Sequence, residues 1–185
     1  MKSFLLSLLF ILTLHAFSQN SAKQAWIDSV YQQLTINERF AQLLMVRANQ
    51  SKEPYYKEIN GYIKDYNLGG VCFFANDPHA QLKQTQQWQN LAKTPLMIGI
   101  DAEWGLGMRL DSTMIFPFQL TLGSIVNDSM IYDMGFQIGQ ECKRMGIHLN
   151  FAPVVDINNN LNNPVINSRS FGDDPNNVSR KAALY

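Results

Sequence analysis

Two short apolar runs limit what this chain can fold into more than any other feature. Val71-Cys72-Phe73-Phe74 and Leu96-Met97-Ile98-Gly99-Ile100 have no polar residue at alternate positions, and His148–Ala152 is a third strand candidate. A strand that faces water on one side alternates polar with apolar residues; one buried on both sides does not. Stretches with helical spacing separate the three runs. Strands of this kind between helices indicate an α/β chain with a parallel sheet covered on both faces. Open doubly wound sheets and closed barrels both fit that pattern.

The helices carry their own punctuation. Residues 21–34 place Ala25, Trp26, Val30 and Leu34 at helical spacing. Thr35-Ile36-Asn37-Glu38 has the capping-box pattern and opens a second helix, expected to run into Leu43-Leu44-Met45-Val46. A third helix starts at Pro54, with Tyr55, Ile59, Tyr62, Ile63 and Tyr66 as its inner face. Asp77-Pro78, a cap followed by proline at the first helical position, opens a fourth that lasts to about Ala92. Asp128 opens a further helix and Gly146 closes it. A last helix pattern begins near Arg180.

The start of the chain reads as an export signal. Lys2 precedes an apolar run, Phe4–Leu14, and the small residues Ala16 and Ser18 predict cleavage before Gln19. The run is too short for a membrane span, which needs roughly 20 apolar residues. A periplasmic or secreted protein without a membrane span is expected. Loss of residues 1–18 removes one of the 15 basic residues and none of the 15 acidic ones. A near-neutral chain with no basic stripe argues against nucleic acid as a partner. The two cysteines, Cys72 in a strand and Cys142 on the stripe Ile131, Met134, Ile138, Cys142 and Met145, are expected to be buried thiols rather than a disulfide.

The polar residues suited to chemistry fall just after strands. Asn76 and Asp77 follow one, Asp101 and Glu103 the next, and Asp156 the last. In a parallel barrel those strand ends face the active site. Asp77 is expected to be a helix cap, whereas no helix pattern begins at Asp101. Arg109 shares a loop with Asp101, and a carboxylate with a guanidinium fork suits the hydroxyls of a sugar ring. A long asparagine-rich stretch between Pro153 and Pro175 holds Arg169 beside Phe171, and loops of that length usually carry function. Gly105-Leu106-Gly107 lacks the third glycine of a dinucleotide-binding turn.

Asp101-Ala-Glu-Trp-Gly-Leu-Gly-Met-Arg109, Phe151-Ala-Pro-Val-Val-Asp156 and Val165-Ile-Asn-Ser-Arg-Ser-Phe-Gly172 together resemble the amino-terminal domain of glycoside hydrolase family 3, in its β-N-acetylhexosaminidase branch. The resemblance implies a (β/α)8 TIM-type barrel, of which residues 35–185 would be the amino-terminal part, after a signal peptide (1–18) and an amino-terminal helix (19–34). It implies that Asp101, Arg109 and Arg169 bind the terminal sugar, with Glu103 and Asp156 in support, and that no cofactor or metal is needed. The implied reaction is retaining hydrolysis of terminal β-linked N-acetylglucosamine from oligosaccharides or cell-wall glycans. Its nucleophilic aspartate and acid/base histidine are expected downstream of Tyr185, so this chain alone is expected to be inactive. Neither His79 nor His148 matches the histidine motif. Trp104-Gly105-Leu106-Gly107 stands where the family usually has Gly-Gly-Arg-Val. Three other readings remain: a non-catalytic sugar-binding module, a β-glucosidase of the same family, or catalysis by Asp101 and Glu103 as a pair.

Overall fold

The computed structural model describes residues 21–49, 55–75, 77–160 and 162–185. The expected signal peptide, the cleavage point at Gln19, Pro54 and Asn76 lie outside the described residues. Two compact units divide after Ala41. The first holds helix α1 over 21–33 and helix α2 (Ile36–Ala41). The capping box forms between them as expected: the Thr35 amide donates to Glu38 Oε2 at 2.7 Å, and the Glu38 amide donates to Thr35 Oγ1 at 3.3 Å.

The second unit, Gln42–Tyr185, contains β1 (Met45–Asn49), α3 (Tyr55–Tyr66), β2 (Gly70–Ala75), α4 (Pro78–Leu91), β3 (Met97–Ile100), α5 (Gln119–Gly123), α6 (Ser129–Arg144), β4 (Leu149–Asn150) and α7 (Pro175–Leu184). The four strands are parallel and lie in sequence order, with β1 and β4 at the edges. This is the order of a partial (β/α) fold, without the reversal of strand order that marks a doubly wound sheet.

Strand β1 corrects the expectation that the second helix runs through Leu43–Val46. The helix stops at Ala41, and Met45 to Ala48 pair in register with Gly70 to Phe73. Periodicity cannot separate helix from strand in so short an apolar run, and pairing with β2 decides it. The inner face of α3 is also corrected. Tyr56, Ile59 and Ile63 are buried, whereas Tyr62 and Tyr66 are exposed. The helix expected to begin near Arg180 is α7, which starts earlier, at Pro175 behind the Asp174 cap.

Among the described residues, helices cover one face of the sheet, not both. Ala48, Val71, Phe73, Ile98 and Ile100 point toward α3, α4 and α6 and join their buried residues in a single core. Trp88 lies at its centre, stacked on Phe73, edge-on to Tyr56 and donating through Nε1 to Asn60 Oδ1 at 2.8 Å. The opposite face carries Met97, Leu149 and Phe151, all exposed. Asp77 caps α4 by accepting from the Ala80 amide at 2.9 Å, as expected. The stripe on α6 is buried from Ile131 to Cys142 as expected, with Met145 half-buried just past the helix, and Cys72 and Cys142 are buried free thiols. Among the described residues no helix is long and apolar enough to cross a membrane.

Candidate functional site

The open face of the sheet leads to a cluster of four charged side chains. Strand β3 ends at Ile100, and the chain then folds back through a bridge between Glu103 and Gly105 and a short 3-10 turn, Leu106–Met108. Gly105 has φ +89°, and a Cβ there would meet the Phe116 ring at 2.6 Å, so the reversal requires glycine. The turn returns Arg109 to Asp101. Arg109 Nε donates to the Asp101 carbonyl at 2.7 Å and Nη2 donates to Asp101 Oδ2 at 2.6 Å.

Glu103 forms the second pair. Its side chain is 3% exposed and accepts three hydrogen bonds from Arg169, whose side chain is 36% exposed. Glu103 holds the Arg169 guanidinium above its ordinary pKa, chiefly through those hydrogen bonds. Arg169 sits on a 3-10 turn, Asn167–Arg169, anchored on both sides. The buried Ser170 hydroxyl donates to the Asp156 carbonyl at 2.5 Å, and the Asn158 amide donates to the Gly172 carbonyl at 2.9 Å. The asparagines of this loop act as turn formers: Asn160 and Asn163 accept backbone amides through their side chains.

A groove of about 510 Å³ collects these groups. Phe74, Phe151 and Cys72 supply an apolar lining, and Asp101, Glu103, Arg47 and Arg169 the charged one. The Arg47 and Arg109 guanidiniums lie 4.7 and 5.1 Å from the centre of the Phe74 ring, within cation–π range. The structure therefore brings Asp101, Glu103, Arg109 and Arg169 together. Asp156 is exposed and takes part through its backbone carbonyl, while its charge is felt at Arg169. A larger cavity, about 730 Å³, opens beside α6, β4 and Tyr185, and no carboxylate lines it.

Both described histidines lie outside the groove lining. His79 is exposed on α4, and His148 Nδ1 accepts the Ile98 amide at 3.0 Å, which extends the pairing of β3 with β4. Sequence reasoning missed Arg47, because its strand was read as the tail of a helix. It also missed Asn150, whose side-chain amide holds the backbone of Ala102 at 3.0 and 3.1 Å.

Comparison with known proteins gives the family. Residues 35–185 match the glycosyl hydrolase family 3 N terminal domain. The chain is 34% identical over 136 residues to "Beta-hexosaminidase A" of Pseudoalteromonas piscicida, covering 66% of this chain and 23% of that protein. It is 26% identical over 175 residues to "Beta-N-acetylglucosaminidase/beta-glucosidase" of Cellulomonas fimi, covering 94% of this chain and 30% of that protein. The chain thus spans less than a third of the length of either relative. Among solved structures, a glycoside hydrolase family 3 β-N-acetylglucosaminidase from Paenibacillus sp. str. FPU-7 superposes with a TM-score of 0.73 at 31% identity, over 82% of this chain and 30% of that one. The family match over residues 35–185 places this chain in the glycosyl hydrolase family 3 N-terminal domain family.

Proposed function

We propose that this chain is the sugar-binding part of an exported β-N-acetylhexosaminidase that removes terminal β-linked N-acetylglucosamine from oligosaccharides or cell-wall glycans. One observation carries the reading. Two carboxylate–guanidinium pairs, Asp101 with Arg109 and Glu103 with Arg169, stand at one strand exit above an apolar lining. Asp101 and Arg109 keep a quarter of their side-chain surface open and offer acceptor and donors to adjacent sugar hydroxyls. Glu103 is buried and fully engaged, so its part is to aim Arg169. Arginine occupies both carboxylates and Glu103 is buried, which disfavours Asp101 and Glu103 as a catalytic pair on geometry.

In the complete enzyme, further strands between β4 and β1 would close a (β/α)8 barrel over the open face. They would also supply the nucleophilic aspartate and the acid/base histidine of a retaining reaction. Relatives named for hexosaminidase activity favour N-acetylglucosamine; the Cellulomonas fimi relative carries both activities in its name, so a glucoside is the control substrate. The test is release of nitrophenol from the β-N-acetylglucosaminide and the β-glucoside by protein made from the complete reading frame. Faster turnover of the first is expected, with Asp101→Ala lowering kcat/KM at least about 100-fold. Preference for the glucoside, or an unaffected Asp101→Ala variant, would overturn the reading. Exported protein is expected to begin at Gln19.

A further inference from the structure

We propose that Asn150 is a positioning residue of the groove, whose side-chain amide locks the backbone of Ala102 and thereby directs both Asp101 and Glu103. The inference rests on the reading of the groove as a sugar site. Pairing of β3 with β4 ends at Ile100 and Asn150, with the Phe151 amide donating to the Ile100 carbonyl at 2.8 Å. Beyond that rung the backbone of β3 has no ladder partner on this side, yet Ala102 is fully buried. A buried peptide group left without a partner is costly. Asn150 supplies the missing partner of the Ala102 amide, with Oδ1 accepting from it at 3.0 Å, and its Nδ2 donates at 3.1 Å to the Ala102 carbonyl, which also accepts from the Gly105 amide at 3.3 Å.

The two peptide units around Ala102 are held from both sides. Arg109 Nε grips the carbonyl of the unit whose amide Asn150 accepts. The Glu103 amide of the next unit donates to Met108 Sδ at 3.2 Å, and one unit further on the Tyr185 hydroxyl donates to the Glu103 carbonyl at 3.2 Å. In extended backbone, residues two apart share a face. With Ala102 pinned into the core, Asp101 and Glu103 both line the groove. Two other side-chain amides clamp single residues in the same way, Gln89 on Leu96 and Gln119 on Val154, but neither clamped residue adjoins a groove carboxylate.

Two readouts test the proposal. In the intact chain, the Arg109 Nε–H is followed by nitrogen-15 NMR hydrogen exchange. Asn150→Ala should speed its exchange at least about 10-fold while α6 amides keep their protection. Asn150→Asp retains the acceptor but not the donor and should fall between. Unchanged Arg109 exchange in both variants would overturn the proposal. In protein from the complete reading frame, Asn150→Ala should lower kcat/KM about 30- to 100-fold on the N-acetylglucosaminide, as displaced binding groups do. Added to Arg109→Ala it should cost no more than about threefold, because both residues act on one peptide unit. Fully additive losses would mark a general stabilising role and sink the idea. Absence of turnover in the unaltered enzyme, with the NMR result as expected, would overturn the sugar-site reading and leave the positioning role standing.

Discussion

Glu103 and Arg169 lie 66 residues apart and meet through three hydrogen bonds of 2.6 to 3.0 Å, with the carboxylate buried and the guanidinium reaching solvent. That inequality makes the two partners unequal when removed. Arg169→Ala leaves a buried carboxylate unpaired and should cost about 3–5 kcal/mol of stability. Glu103→Gln leaves a guanidinium that water can still reach, and should cost about 1–2 kcal/mol. Urea denaturation of the two variants measures both. Equal losses, or a larger loss for Glu103→Gln, would show that the pair is not held as described.

The two thiols give a chemical test of burial. Removal from water raises Cys72 and Cys142 from 9.0 to about 11, and for Cys72 the neighbouring Asp101 charge adds to the effect. At pH 8 roughly one thiol in a thousand is then ionised, and the thiolate is the reactive form. Neither cysteine should react appreciably with a disulfide reagent in the native protein, and both should react at once in guanidinium chloride. Fast native labelling of Cys72 would mean that the groove lining opens to solvent.

Legibility in the sequence followed how local each determinant is. The capping box at Thr35, the Asp77 cap and the α6 stripe rest on residues within a few positions of one another, and all three are present in the structure. Strand β1 was misread because Leu43–Val46 is short and apolar, and only its partner β2 decides what it becomes. The same holds at the site. Asp101 and Arg109 share one loop and were readable as a unit. The engagement of Glu103 by Arg169 depends on a contact that spacing does not encode. Missing polar alternation predicts burial of both sheet faces, but Met97, Leu149 and Phe151 on the second face are exposed among the described residues.

Glycine substitutions separate close packing from plain helix. A Cβ at Gly123 would lie 1.9 Å from the Phe171 carbonyl oxygen, two residues beyond Arg169. Gly123→Ala must displace that loop and should cost about 2–4 kcal/mol, by analogy with other overpacked sites. Gly139, inside α6, has no atom within 4 Å of its added Cβ. Gly139→Ala should stabilise the protein by about 0.5–1 kcal/mol through helix propensity. Thermal unfolding of the two variants should move in opposite directions.

Asp128 predicts an acid-sensitive tie between α6 and α7. Its side chain makes no cap bond to its own helix, contrary to its place before Ser129. It accepts instead from Lys181 Nζ at 2.9 Å and Arg180 Nε at 2.6 Å. Lys181 is fully buried, and its other bond goes to the Ile125 carbonyl at 2.7 Å. The hydrogen bonds from Lys181, followed by those from Arg180, hold the Asp128 carboxyl below its ordinary value of 3.8. A carboxylate depressed in the folded state stabilises the fold fully above its unfolded pKa and loses that contribution as pH falls through the lower folded value. Wild type should therefore exceed Asp128→Asn in melting temperature by a constant margin above about pH 5, clear of the usual carboxylate range. The margin should shrink steadily in more acid solution, as protonation makes the two side chains equivalent in charge. Lys181→Met should cost less than Asp128→Asn, because it removes the buried charge instead of stranding it. A margin that persists undiminished into strong acid would mean that the stabilisation by Asp128 does not come from its charge.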